Sequence, residues 1–199
     1  MSKITNDDLE KAAKDVANAA RYGEEGKRIG AILNKYPKNI DDDIIAMKIA
    51  LIDMTNSTNL NKHLGSIGLG AMIKKIQELN FDARVKIGDL SLVSELSKWS
   101  KEQGVNLFSF WSKYCLYHNV HCYGQDDYSI YDSVVNQHLK KYNSKFTPSF
   151  FNKLRETFDY EGFVKCIDSV IKENNLNVKN VRRKFDWFLW YNNRTNNKN

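Results

Sequence analysis

Residues 104–135 read GVNLFSFWSKYCLYHNVHCYGQDDYSIYDSVV. Three readings compete for this stretch: a metal site, a core helix, or the two halves of a catalytic pair. Cys115, His118, His121 and Cys122 form C-x2-H-x2-H-C, and zinc accepts such ligands. Structural zinc sites, however, usually draw two ligand pairs from either side of a longer loop. Here one ion would have to be wrapped from a single short segment. On a helix, Cys115, His118 and Cys122 share a face and His121 does not. The spacing therefore favours buried thiols and imidazoles at a helix end. With 3 cysteines in the chain, a four-cysteine iron–sulfur cluster is excluded.

Lys113 lies among Phe108, Phe110, Trp111, Tyr114 and Leu116. Apolar surroundings disfavour the charged form of an amine, which is what makes a lysine nucleophilic at neutral pH. Asp132 opens the helical pattern YDSVVNQHLKKY, where the helix dipole favours a negative charge. Brought together, the two would form a charged pair in a dry pocket. The ordinary alternative is a lysine that reaches solvent and an aspartate that only caps a helix.

Outside this stretch, apolar residues recur at helical spacing almost everywhere and period-two alternation is nearly absent. Leu9, Ala12, Ala13, Val16 and Ala20 form one stripe, with Asp7 or Asp8 expected to cap it. Ile29, Ile32 and Leu33 form a second. Residues 44–52 are apolar nearly all round and predict a buried central helix. DMTNSTNLNKH, at 53–63, reads as a polar loop. A helix is expected around 69–79, and another in SLVSELSKWSKEQG, stopped by Gly104. Thr147 and Pro148 are the N-cap and first helical residue of TPSFFNKLRETF. Two helices follow in YEGFVKCIDSVIKENN and VRRKFDWFLWYNN. The expectation is an all-α chain of roughly eight to ten helices.

The 199 residues suffice for one domain with a substantial core, or for two small helical lobes sharing a cleft. Hydrophobic residues make up 42% of the chain, which excludes a disordered protein. No apolar run is long enough to span a bilayer, and MSKITNDDLEKAAKD lacks a signal-peptide core. A cytoplasmic protein with no membrane partner is expected. The odd cysteine count fits a reducing compartment. The net charge of +6 favours polyanionic partners, nucleic acid first, although many soluble proteins are mildly basic.

Two further segments suit nucleic acid. The loop TNSTNLNKH offers amide and hydroxyl groups for phosphates or base edges, or is a plain polar turn. RRKFDWFLWYNNR interleaves Arg182, Arg183 and Lys184 with Phe185, Trp187, Phe188, Trp190 and Tyr191. Rings stack bases and cations hold phosphates, but one face of such a helix must be buried.

Together these segments resemble the helix-hairpin-helix (HhH-GPD) DNA glycosylase superfamily, nearest its 8-oxoguanine DNA glycosylase branch. The motifs that carry the resemblance are Ser112–Lys113 and IYDSVV at 130–135, in the family's order and at its lysine-to-aspartate spacing, with DMTNSTNL in the place of its asparagine-rich loop. The resemblance covers roughly residues 40–145. It departs from the family before the lysine, where a glycine-rich hairpin normally holds a DNA phosphate. LFSFWSK has no glycine. Tyr117 stands where the family lines its base pocket.

The resemblance implies an all-α glycosylase-like domain over 1–199, with one lobe over 50–130 and a second built from 1–49 and 131–199. It implies a DNA N-glycosylase, possessing Schiff-base AP-lyase activity if Lys113 is the nucleophile, that acts on duplex DNA with a flipped base. Lys113 and Asp132 would be catalytic. Asn56, Ser57, Asn59, Lys62, His63 and Ser112 would contact DNA. Trp111, Tyr117, Phe185 and Trp187 would wall the base pocket. Neither metal nor organic cofactor is required, and a monomer is expected. The target is oxidised guanine or a hypermodified phage base such as glucosylated hydroxymethylcytosine, the latter implying antiviral defence. The alternatives are a non-catalytic helical DNA-binding module, with Lys113 as a phosphate contact, and a helical protein-interaction domain.

Overall fold

The computed structural model describes residues 3–56, 58, 60–62, 64–143 and 146–195, and among them every regular element is helical. In chain order these are α1 (Asn6–Asn18), α2 (Tyr22–Lys35), α3 (Asp42–Asn56), a 3₁₀ turn (Leu60–Lys62), α4 (Leu64–Ile67), α5 (Leu69–Glu78), α6 (Phe81–Lys86), α7 (Ser91–Glu102), α8 (Phe108–Tyr123), α9 (Ser133–Leu139), α10 (Pro148–Thr157), α11 (Tyr160–Glu173) and α12 (Val181–Thr195). Twelve α-helices exceed the expected number because α4 and α6 are too short to show a periodic stripe.

Local chemistry sets the ends. Thr5, and neither Asp7 nor Asp8, is the N-cap of α1. Its hydroxyl accepts from the Asp8 backbone N–H, and the Asp8 carboxylate accepts from the Thr5 N–H in return. Thr147 accepts from the Phe150 N–H, with Pro148 next to it. After α7 the chain turns at Gly104, whose φ of +84° is open to glycine and strained for other residues. The expected 53–63 loop is shorter than its composition predicts. Asp53 to Asn56 belong to α3, and Asp53 accepts from the Leu60 N–H and the Thr58 hydroxyl.

α8, and not α3, is the central helix. Almost every residue from Phe108 to Asn119 is buried, because α2, α3, α6 and α7 all pack against it. α3 buries only Ile45, Lys48, Ile49 and Ile52, and its Ala50 and Met54 are exposed. Lys48 is fully buried and donates to the Lys38 carbonyl (2.9 Å) and to Asn39 Oδ1 (3.2 Å). Burial pushes its ammonium below the ordinary lysine value. α12 closes the other side, lying along α1 and α9.

Candidate functional site

The segment from Asp126 to Asp132 links α8 to α9, and each of its residues is tied to a different part of the molecule. Asp126 accepts from the Arg182 and Arg183 N–H groups at the start of α12 (2.9 and 3.0 Å). The Asp127 N–H donates to Asn119 Oδ1 (3.0 Å), and the Tyr128 hydroxyl donates to the Asp89 carbonyl (2.8 Å). Ser129 is held by the Tyr160 hydroxyl, Ile130 by Asp186 Oδ2, and Tyr131 by Ser112 Oγ (3.0 Å). An extended backbone with this many external partners has little freedom, so the residue at its end is placed with precision.

That residue is Asp132. Its Oδ1 accepts from the Val135 N–H (2.9 Å) and caps α9, while its Oδ2 lies 3.4 Å from Lys113 Nζ. Lys113 also donates to Ser109 Oγ (3.0 Å). The lysine side chain is 8% exposed and the aspartate 14%, so the pair is largely screened from water. Both functions considered for Asp132, cap and partner of Lys113, are carried by the same carboxylate through different oxygens.

The pair faces a cavity of about 940 Å³ walled by α2, α8 and α12 and by the start of α9. α2 approaches α8 closely at Gly30, where a Cβ would come within 3.0 Å of the His121 ring. His121 stacks on Tyr117 with their planes 11° apart. Burial, aided by the nearby Arg183 charge, pushes His121 down to about 4, so the ring is neutral at physiological pH. On α12, Arg183 sits over the Tyr117 and Trp187 rings, 5.0 and 4.8 Å from their centroids. Asp186 is 2% exposed, and burial pushes its carboxyl well above the ordinary aspartate value against the opposing pull of Arg183.

Of the expected pocket walls, Tyr117 and Trp187 line this cavity and Trp111 and Phe185 do not. Trp111 is fully buried on another face of α8, donating its indole N–H to Ser100 Oγ (2.7 Å). Phe185 is fully buried and stacks with Phe188. Ser112 is fully buried and is an internal tie between α8 and Tyr131. Asn56 lines the cavity, but its amide is already engaged: Oδ1 accepts from the Tyr117 hydroxyl (2.8 Å) and Nδ2 donates to the Ile52 carbonyl (3.0 Å). Lys62 is exposed on the 3₁₀ turn. Ser57, Asn59 and His63 lie outside the described residues.

The basic run before the α12 aromatics is engaged within the molecule. Arg182 forms a forked pair with Asp168 (2.7 and 2.8 Å), Lys184 pairs with Glu10, and Arg183 turns into the cavity. The cysteines and histidines do not converge. His118 Nδ1 bonds the Tyr114 carbonyl (2.7 Å), Cys122 reaches toward the Leu33 carbonyl, and His121 faces the cavity. Among the described residues no group of three or more His, Cys, Asp or Glu could hold a metal ion. None of their helices is long and apolar enough to cross a membrane. Asp186 escaped the sequence reading, while His121 and Arg183 were singled out there for other roles, a metal cluster and a phosphate contact. The available signal was Asp186 itself, an acid on the apolar face of an aromatic helix.

Asn119 positions the segment that carries Asp132. Its Nδ2 donates to the Val85 carbonyl (3.0 Å) and to Asp127 Oδ2 (2.9 Å), while its Oδ1 accepts from Asp127. Asn119→Ala strands these buried partners and is expected to cost about 2–4 kcal/mol, measured by urea unfolding. An unchanged midpoint would show that the segment is held without it.

The chain is thus an all-helical protein whose central helix brings Lys113 to the wall of a large cavity, where it meets Asp132 at the start of α9. A family model described as an N-terminal domain, HI_0787_N, matches residues 8–127, and the chain belongs to that family. The matched region includes Lys113 and stops short of Asp132. No curated protein and no solved structure matches the chain.

Proposed function

We propose that this protein is a DNA N-glycosylase that flips a damaged or modified base from duplex DNA into the cavity between two helical lobes. The observation that carries this reading is the Lys113–Asp132 pair, 3.4 Å apart and largely buried at the wall of the cavity. A lysine used only for phosphate contact would be exposed on a surface, which disfavours the non-catalytic DNA-binding module.

In this reading Lys113 Nζ releases a proton to the water of the open cavity and, as the neutral amine, attacks C1′ of the flipped nucleotide. The C1′–N bond breaks, its electron pair leaves with the base, and the base takes up the proton that the Nζ–C1′ adduct sheds. Opening of the sugar converts the Nζ–C1′ adduct to a Schiff base, from which β-elimination nicks the strand. The Asp132 carboxylate stabilises the positive charge that develops on the sugar. Oxidised guanine is the target implied by the helix-hairpin-helix resemblance. A cavity of about 940 Å³ also admits a bulkier base such as glucosylated hydroxymethylcytosine, in keeping with antiviral defence.

The test is incubation with duplexes carrying 8-oxoguanine, uracil or glucosylated hydroxymethylcytosine, read as alkali-labile strand breaks. Breaks on one duplex that disappear in Asp132→Asn are the expected result. No breaks on any duplex would remove the glycosylase reading for these bases.

A further inference from the structure

Three buried polar atoms of the cavity residues have no hydrogen-bond partner among the described residues: Asn136 Oδ1 on α9, and Arg183 Nη1 and Asp186 Oδ1, which lie together on α12. Arg183 is 7% exposed, and no carboxylate of the described residues lies within ion-pair distance of its guanidinium. A buried cation without a counter-ion is costly. The Tyr117 and Trp187 rings offset part of that cost through their faces, and they leave Nη1 unsatisfied. Asp186 does not supply a full counter-charge, because burial favours its neutral form and its Oδ2 is occupied by the Ile130 N–H. Neither group takes part in the Lys113–Asp132 chemistry, so both are available to a ligand.

We infer that Arg183 is the specificity-determining donor of this cavity, and that the flat ring it takes in presents a carbonyl oxygen to Nη1. This rests on the glycosylase reading for the identity of that ring as a nucleobase. The walls suit a planar heterocycle, since aromatic rings of Tyr117, His121, Trp187 and Trp190 line the cavity. A keto oxygen would satisfy Nη1. Entry of the base displaces a covering ring from Arg183 and replaces one flat contact with another. Guanine-, cytosine- and uracil-type bases carry the required oxygen. Adenine carries an amino donor in its place, and a buried donor set opposite that position disfavours it relative to the keto bases.

The test uses bases methylated at the glycosidic nitrogen: 9-methylguanine, 1-methylcytosine and 9-methyladenine, with inorganic phosphate as a fourth ligand. Binding is read by isothermal titration calorimetry for the wild type, Arg183→Met and Arg183→Lys. The wild type should bind the two keto bases about tenfold more tightly than 9-methyladenine. Arg183→Met should bring the three to parity, and Arg183→Lys should retain part of the preference. A ratio between ligands within one variant is insensitive to the fraction folded. Equal binding of 9-methyladenine by the wild type, a preference that survives Arg183→Met, Arg183-dependent binding of phosphate instead, or no base binding at all would each overturn the inference. If the wild type shows the keto preference while no duplex is cut, the glycosylase reading fails and the base-reading role of Arg183 stands.

Discussion

Lys113→Gln should leave no borohydride-trapped protein–DNA adduct and should lower base excision by roughly 10³-fold or more. Borohydride reduces a Schiff base to a stable amine, so the trapped complex reports a covalent bond to an amine of the protein. Glutamine is of similar length and can still bond Ser109 Oγ, but its amide nitrogen has no available lone pair for attack. Asp132→Asn is the matched control. Asparagine caps a helix as well as aspartate does, so α9 should keep its start and the variant should fold. What it lacks is the negative charge beside Nζ, and excision should fall about 10²–10³-fold. An adduct that survives Lys113→Gln would assign the nucleophile elsewhere. Alkali-labile sites with no adduct in the wild type would instead mean hydrolysis by a water, with Asp132 as the essential group.

Acid should destabilise the protein through its buried histidines. His118 is fully buried, and burial, reinforced by Lys48, pushes its ring down to about 3. His121 is pushed down to about 4. In the unfolded chain both titrate near 6.5. Between that pH and their folded values the unfolded state binds more protons, so stability is lost as pH falls through this window. Fully expressed, His118 contributes about 1.4 kcal/mol per pH unit, and the partly solvated His121 contributes less. Asp186 works in the opposite sense. Its carboxyl stays protonated in the folded state at pH values where the unfolded chain ionises, so its contribution to stability shrinks as pH rises. Urea unfolding at pH 7, 6, 5 and 4.5 should therefore show a net loss toward acid. The slope should be shallower in His118→Phe and steeper in Asp186→Asn. A slope that ignores His118→Phe would mean that its imidazole is hydrated in the folded state.

The Lys113–Asp132 pair was legible because its two halves carry local signals. One is a cation in an aromatic run, and the other is an acid at the start of a helical pattern. Their meeting was not local, since it depends on the ties that Ser112, Tyr160, Asp186 and Asn119 make to the chain between them. The misplaced pocket walls have the same origin. Trp111 and Tyr117 stand on one helix that is apolar on nearly every side, so periodicity cannot say which ring meets the core and which meets the cavity. The run Arg182–Lys184 looked free for phosphate because its partners, Asp168, Asp126 and Glu10, are far away in sequence.

The sequence by itself determined the all-helical class, the caps at Thr147 and Pro148, the stop at Gly104, and the candidacy of Lys113 and Asp132. Each rests on interactions within about one helical turn, which a linear pattern records directly. Only the tertiary structure decided that α8 is the centre, that His121 and Asp186 join the site, and that Arg183 turns inward while its neighbours form ion pairs. Those outcomes depend on which faces of distant helices meet, and on the cost of burying a charge there, which no local spacing encodes.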